Sequence, residues 1–205
     1  MDSNISGIPD EASCRELMDR YSMLPNIVRH SYRVCQIALF VARGLNRQGA
    51  MLNQELIIAG SLLHDITKTR NLHTKENHSE TGRDLLIGLG MPEVADIVAR
   101  HVRLGLDNRD ENSIGQISEA HIVNYSDKRV MHETVVSLED RMEDLIVRYA
   151  KTPEARERIG ALRELTFRLE DQIFGWLDFP PSTLDLFNTI DVFDIAYVPQ
   201  DLSIP

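Results

Sequence analysis

Apolar residues recur at intervals of three and four positions along most of the chain, and this spacing predicts helices. Prolines, glycines and short polar stretches interrupt the pattern and indicate where helices end. The predicted helices cover approximately residues 10–23, 25–47, 53–64, 77–89, 92–101, 117–129, 137–151 and 153–177. No segment shows a convincing alternation of apolar and polar residues of the kind that strands require. We therefore expect an all-α protein.

The length and composition favour one domain. A chain of 205 residues with 42% hydrophobic content can bury a substantial core. Four prolines interrupt the C-terminal segment, and this favours an extended tail over a helix. We expect a helical domain over residues 1–178, which includes additional C-terminal helices over 137–177, and an extended tail over 179–205.

The charge balance narrows the range of partners. The chain has 22 basic and 32 acidic residues, and its net charge is -10. Nucleic-acid polymers bind to basic surfaces, so we expect no such partner, whereas a small phosphorylated substrate is compatible with an acidic protein. The sequence has no apolar run long enough to cross a bilayer and no signal-peptide pattern at its start. We expect a cytoplasmic protein without membrane contact, in which Cys14 and Cys35 are reduced.

A histidine and an aspartate, His64 and Asp65, follow the apolar face of the third predicted helix, with Lys68 close behind. A neutral nitrogen and an anionic oxygen at a buried helix end are costly unless something pairs with them. A divalent metal would pair with both, and this donor set suits iron, manganese, zinc or nickel better than calcium. The alternative is an ordinary histidine–carboxylate contact in the core.

Other helices offer further candidate ligands. His30 and His101 lie on the apolar stripes of their helices, and His78 and Asp127 lie on two more helices. A single inward histidine is more often hydrogen-bonded in a core than bound to metal. Asp127 has its own alternative, because it precedes two basic residues with which it would pair at the surface.

The order of these residues resembles the HD superfamily of metal-dependent phosphohydrolases. The segment from His64 to Lys68 is similar to the HD-hydrophobic-x-K form, with Thr67 where many members have glycine. The segment from His78 to Gly82 is similar to the HxxxG segment of the multi-histidine branch. The next histidine of that branch has its counterpart in His101. The resemblance covers approximately residues 24–130, and its pattern is closest to bacterial HD-type diadenosine-tetraphosphate hydrolases.

The resemblance implies a bundle of helices around a metal centre. The implied ligands of a first metal are His30, His64, Asp65 and Asp127. In this pattern His78 and His101 are additional ligands that allow a second metal to bind, and Asp65 bridges the two ions. Iron or manganese is the expected metal, with zinc, nickel, cobalt or magnesium as alternatives. The paired histidines and the GYP segment of cyclic-di-GMP phosphodiesterases are missing, which argues against that substrate.

The implied activity is hydrolysis of a phosphate ester or anhydride, in a small nucleotide or related metabolite, by a metal-activated water. The expected catalytic residues are Asp65 and Lys68, and the expected substrate-binding residues are Lys68, Arg29 and Arg103. One alternative is a mononuclear HD-type nucleotidase. Another is a signalling or binding module that uses the HD fold without turnover. A homodimer through the C-terminal helices or tail is a further hypothesis.

Overall fold

The computed structural model describes residues 7–72, 74, 76–102 and 117–196. The described part of the chain contains nine α-helices and one two-stranded hairpin, which confirms the all-α prediction. The helices are α1 (Glu11–Arg20), α2 (Pro25–Arg47), α3 (Gln54–Leu63), α4 (Lys68–Asn71), α5 (His78–Gly88), α6 (Pro92–Arg100), α7 (Glu119–Lys128), α8 (Leu138–Tyr149) and α9 (Pro153–Phe174). The strands are β1 (Val130–Met131) and β2 (Thr134–Val135), and a 3-10 helix covers Pro181–Thr189.

Local side-chain contacts explain why several helices begin where they do. Asp10 accepts a hydrogen bond from the backbone N–H of Ser13 at 2.8 Å and caps α1. The side chains of Asn53 and Asn77 cap α3 and α5 in the same way. Such caps satisfy N–H groups that have no partner inside the helix. The predicted helix boundaries therefore agree with the structure to within a few residues.

Three short elements differ from the sequence-based expectation. The polar stretch after Lys68 begins with the single turn of α4, and β1 pairs with β2 in an antiparallel hairpin. The predicted extended tail contains the 3-10 helix, which begins after Pro180 and buries Leu184 and Phe187 completely. In a 3-10 helix, residues three apart lie on one face, so this pair forms an apolar contact surface. Residues 197–205 of the tail lie outside the described residues.

Helix α2 forms the centre of the fold, and most of its length is buried against α3 and α7. Two buried polar side chains of α2 bind the tail. Arg33 donates to the carbonyl oxygen of Ile190 at 3.1 Å, and Gln36 donates to the carbonyl oxygen of Asp191 at 2.7 Å. Because buried donors need partners, these contacts fix the tail to the helical domain. In the described part of the chain, no helix is both long and apolar enough to span a membrane.

Helices α5 and α6 approach each other closely at a glycine. A Cβ added to Gly82 would lie 2.8 Å from Cγ1 of Val98, nearer than side chains pack. Since Val98 is completely buried and short, it has little room to withdraw. This contact fixes α5 against α6. One predicted histidine ligand, His78, begins α5, and another, His101, directly follows α6.

Replacing Gly82 by alanine should therefore destabilise the protein. Overpacking at this contact should cost about 1–3 kcal/mol, more than alanine gains in helix propensity. Gly88→Ala on the same helix is the matched control, because a Cβ there meets nothing within 4 Å. It should leave stability unchanged or raise it by up to about 1 kcal/mol. Urea unfolding of both variants is the measurement, and equal stability of the two would contradict the close packing.

Candidate metal centre

Helix ends bring the predicted ligands together. His64 and His101 follow the last residues of α3 and α6, whereas His78 is the first residue of α5. His30 lies in the second turn of α2, and Asp127 lies in the last turn of α7. Asp65 follows His64 in the turn before α4. These side chains meet in one region, as the sequence predicts, and all but that of His78 are almost completely buried.

The Asp65 carboxylate lies between two groups of histidines. Its Oδ2 is 3.4 Å from Nε2 of His64, and its Oδ1 is 3.3 Å from Nε2 of His78 and 3.7 Å from Nε2 of His101. One ligand atom from each of His30, His64 and Asp65 lies within 4.8 Å of the others, and the same holds for Asp65, His78 and His101. The two oxygens of one carboxylate thus face two separate sets of nitrogen donors.

Asp127 completes the side of the site near α2. Its Oδ1 lies 3.0 Å from Nε2 of His30 and 3.7 Å from Nε2 of His64. Its Oδ2 accepts a hydrogen bond from Nζ of Lys128 at 2.6 Å. The sequence-based alternative of a surface ion pair is therefore only half correct: the pairing with Lys128 exists, but both side chains are buried. The second basic neighbour, Arg129, pairs with Glu170 instead.

Backbone carbonyls fix the orientation of three histidine rings. Nδ1 of His64 lies 2.6 Å from the carbonyl oxygen of Ser61, and Nδ1 of His101 lies 2.6 Å from that of Val98. Nδ1 of His30 lies 2.7 Å from the carbonyl oxygen of His132. A carbonyl oxygen only accepts hydrogen bonds, so each Nδ1 carries the proton. In the neutral ring the lone pair is then on Nε2, the atom that faces the site.

The electrostatics favour anionic carboxylates for Asp65 and Asp127 and the neutral form for two of the histidines, His78 and His101. Burial raises the pKa of Asp65, but the neighbouring His64, His101 and Lys68 outweigh it and hold that pKa well below its usual value. Burial also raises the pKa of Asp127, but Lys128, His30 and His64 outweigh it and hold that pKa well below its usual value. Burial lowers the pKa of His78 to about 4 and also lowers that of His101. The pKa of His64 shifts the other way, because Asp65 and Asp127 outweigh its burial and raise it. A cation that binds beside the two carboxylates would take the place of the His64 proton.

Unpaired polar atoms show that this donor set fits a divalent metal. Nε2 of His64 and Oδ1 of Asp65 are buried, and neither has a hydrogen-bond partner among the described residues. Nε2 of His78 lies 3.2 Å from Nε2 of His101, and both atoms face the same Asp65 oxygen. A single proton on His78 satisfies only one of these acceptors. A cation bound among nitrogen and carboxylate donors would satisfy them all.

The other predicted site residues have different positions. Nζ of Lys68 lies 2.6 Å from Oδ2 of Asp65, so this lysine is part of the cluster. Burial lowers the pKa of Lys68, but Asp65 and Asp127 outweigh it and the net shift is upward. Arg29 is about half exposed and forms an ion pair with Glu133. Arg103, predicted to bind substrate, lies outside the described residues.

Several contacts in the site were not predicted from the sequence. Asn124 and Lys128 of α7 donate to the carbonyl oxygen of His101, at 2.7 Å and 3.1 Å. Their i, i+4 spacing puts both on one face of α7, and this is the signal that would have indicated them. The contact from the carbonyl of His132 to His30 has no such signal. It depends on a backbone φ of +59° at His132 in the turn between β1 and β2.

Comparison with known proteins identifies the family of the chain. The HD domain family matches residues 27–132, which is more than half of the chain and spans the six candidate ligands. The chain belongs to the HD domain family. Helices α8 and α9 and the tail lie beyond the matched part of this HD protein. Membership of the diadenosine-tetraphosphate hydrolase group within the family stays a prediction.

The curated relatives differ in what they are named for. A dihydroneopterin 2',3'-cyclic phosphate phosphodiesterase of Methanocaldococcus jannaschii is 32% identical, over 69% of this chain and 65% of that protein. An uncharacterised protein of the same organism is 27% identical, over 68% of this chain and 86% of its own length. A tRNA (cytidine(56)-2'-O)-methyltransferase of Thermoplasma volcanium is 27% identical over 77% of this chain. The match covers only 46% of that methyltransferase, and no solved structure matches the chain.

The geometry around Asp65 predicts a specific pattern of metal content. Protein purified without chelator and loaded with manganese should hold about two ions per chain, one on each side of Asp65. His101→Ala should lose about one of them, because it removes a nitrogen donor from one side only. Elemental analysis by mass spectrometry measures both values.

His121→Ala is the control for this experiment. Nδ1 of His121 accepts a hydrogen bond from the backbone of Ser118 at 3.1 Å and thereby caps α7, away from the cluster. Its loss should lower the unfolding temperature slightly and leave metal content unchanged. If the wild type holds about one ion and His101→Ala still holds it, the result would instead support the mononuclear form.

Proposed function

We propose that this HD protein is a metal-dependent phosphohydrolase. Its reaction adds water across a P–O bond of a small phosphorylated metabolite or nucleotide. The observation that carries the proposal is the position of the Asp65 carboxylate, whose two oxygens face two sets of histidine nitrogens. In this proposal His30, His64 and Asp127 would hold one ion, His78 and His101 would hold a second, and Asp65 would be a ligand on both sides.

The metal would supply a water with a lowered pKa and positive charge for the phosphoryl oxygens. The chain supplies orientation, since backbone carbonyls hold three of the four histidine rings and a buried lysine holds Asp127. Rigid ligands matter because a displaced ligand weakens both metal binding and the alignment of the attacking water. Iron and manganese are the metals that we favour for this set of nitrogen and oxygen donors.

Lys68 is the residue that we assign to substrate contact at the centre. Its Nζ is bound to Asp65, yet 41% of its side chain is exposed, so it lies between the buried cluster and solvent. An ammonium group in that position can donate to a phosphoryl oxygen without leaving Asp65. The assigned role is to bind the substrate and to neutralise charge that develops on the phosphoryl group.

The substrate that we propose is a small-molecule phosphodiester or a related phosphate. The relative named as a cyclic phosphate phosphodiesterase supports a phosphodiester of a small molecule. A net charge of -10 argues against a nucleic-acid polymer, because long polyanions bind basic surfaces. We therefore propose a test panel of 2',3'-cyclic nucleotides, nucleoside monophosphates and a dinucleoside polyphosphate. A cytoplasmic location and a homodimer remain predictions.

Asp65→Asn should abolish most of the activity found on this panel. The amide keeps the size of the carboxylate but removes its charge, so kcat/KM should fall by about 100-fold or more. Asp84→Asn is the matched control, because Asp84 is exposed on α5 and pairs only with Arg83 among the described residues. Its kcat/KM should stay within about twofold of the wild type. Wild-type protein loaded with manganese or iron that releases no product from any member of the panel would count against the proposal.

A further inference from the structure

Helix α8 carries a cation beside the candidate centre that neither the sequence motifs nor the family match includes. Arg141 lies between the buried residues Leu138 and Met142 on this helix, and only 17% of its side chain is exposed. The HD family match ends at residue 132. A guanidinium that is largely removed from water needs partners for its five donors.

The partners of Arg141 among the described residues are incomplete. Its terminal nitrogen Nη1 donates to Oδ2 of Asp144 at 3.1 Å. Its Nε is buried and has no hydrogen-bond partner in the described part of the chain. A buried donor without a partner carries a desolvation cost, which an arriving acceptor would remove. Asp144 also binds Nε of Arg148 at 2.7 Å, so one carboxylate is shared by two arginines and the cluster keeps a net positive charge.

Two observations place this cluster beside the candidate centre. The positive charge of Arg141 opposes the upward shift of the Lys68 pKa, so the two charges are close enough to interact. Nη2 of Arg148 lies 3.3 Å from Nε2 of His132, and the carbonyl of His132 binds His30. Helix α8 therefore lies along the side of the centre formed by Lys68 and His30.

We propose that Arg141 is a phosphate-binding residue that acts with Lys68 on the substrate of this centre. The proposal rests on the proposed function and adds a second cationic contact from outside the family match. Two like charges that lie near the same buried site repel each other, and an anion between them would be attracted to both. The forked guanidinium matches the geometry of phosphate oxygens and can present Nε together with a terminal nitrogen.

A purely structural role for the arginine would leave different evidence. If Arg141 only stabilised α8, its ion pair with Asp144, three residues later on the same helix, would be enough. Such pairs are common on exposed helix surfaces. That ion pair alone does not explain why Nε of Arg141 is buried without a partner, or why a second cation, Lys68, lies nearby. Arg148 supplies the comparison, because it binds the same Asp144 but 43% of its side chain is exposed.

The test is binding of inorganic phosphate to manganese-loaded protein, measured by titration calorimetry. Arg141→Gln should weaken phosphate binding by about 10- to 100-fold, the usual effect of losing hydrogen bonds from a charged group. Arg141→Lys keeps the charge but not the fork, and it should recover part of the affinity. Arg148→Gln should bind phosphate within about twofold of the wild type. Circular dichroism and metal content should match the wild type for all three variants.

Three outcomes would overturn the proposal: no phosphate binding by the wild type, unchanged binding by Arg141→Gln, or an equal loss in Arg148→Gln. The last result would show that the shared carboxylate matters and not a contact from Arg141. Because binding is measured without turnover, the two proposals can fail separately. If the wild type hydrolyses its substrate but Arg141→Gln binds phosphate normally, the proposed hydrolase function stands and the proposed role of Arg141 is wrong. If the wild type has no activity but its phosphate binding depends on Arg141, the anion site stands and the proposed hydrolase function is wrong.

Discussion

The Asp65 carboxylate is the group on which the candidate centre depends. It is almost completely buried, and its neighbours keep its pKa well below the usual value, so it carries a negative charge inside the protein. A buried charge of this kind costs several kcal/mol unless it is compensated. Nζ of Lys68 compensates one oxygen at 2.6 Å, and histidines from three different segments surround the rest. The packing of the helices around Asp65 holds these groups close enough to compensate its charge.

Helix ends supply both the ligands and their orientation. The last carbonyls of an α-helix have no partner inside the helix. His64 and His101 each use such a carbonyl, three residues earlier, to hold Nδ1, and this turns Nε2 towards the centre. Helices α3 and α6 reach this arrangement because a glycine allows close packing. A Cβ at Gly60 would lie 2.8 Å from the side chain of Ile97. The same use of small residues brings α5 against α6.

Much of this arrangement could be predicted from the sequence, because the relevant signals are local. Helical periodicity and capping residues such as Asn53 and Asn77 determine most helix boundaries, and the order of histidines and aspartates indicated the centre. Contacts between distant segments could not be predicted in this way. The hydrogen bonds from Arg33 to the tail join positions more than 150 residues apart. Arg141 was missed for the same reason, since its helix follows the motif region and the approach of that helix to His132 and His30 depends on tertiary packing.

We propose that two metal ions lie on opposite sides of Asp65. Anomalous diffraction at the manganese edge, from crystals of manganese-loaded protein, tests this most directly because it locates each ion independently of activity. We expect two peaks: one beside Nε2 of His30 and His64, the other beside Nε2 of His78 and His101, with the Asp65 carboxylate between them. A single peak, or peaks that do not contact Asp65, would contradict it.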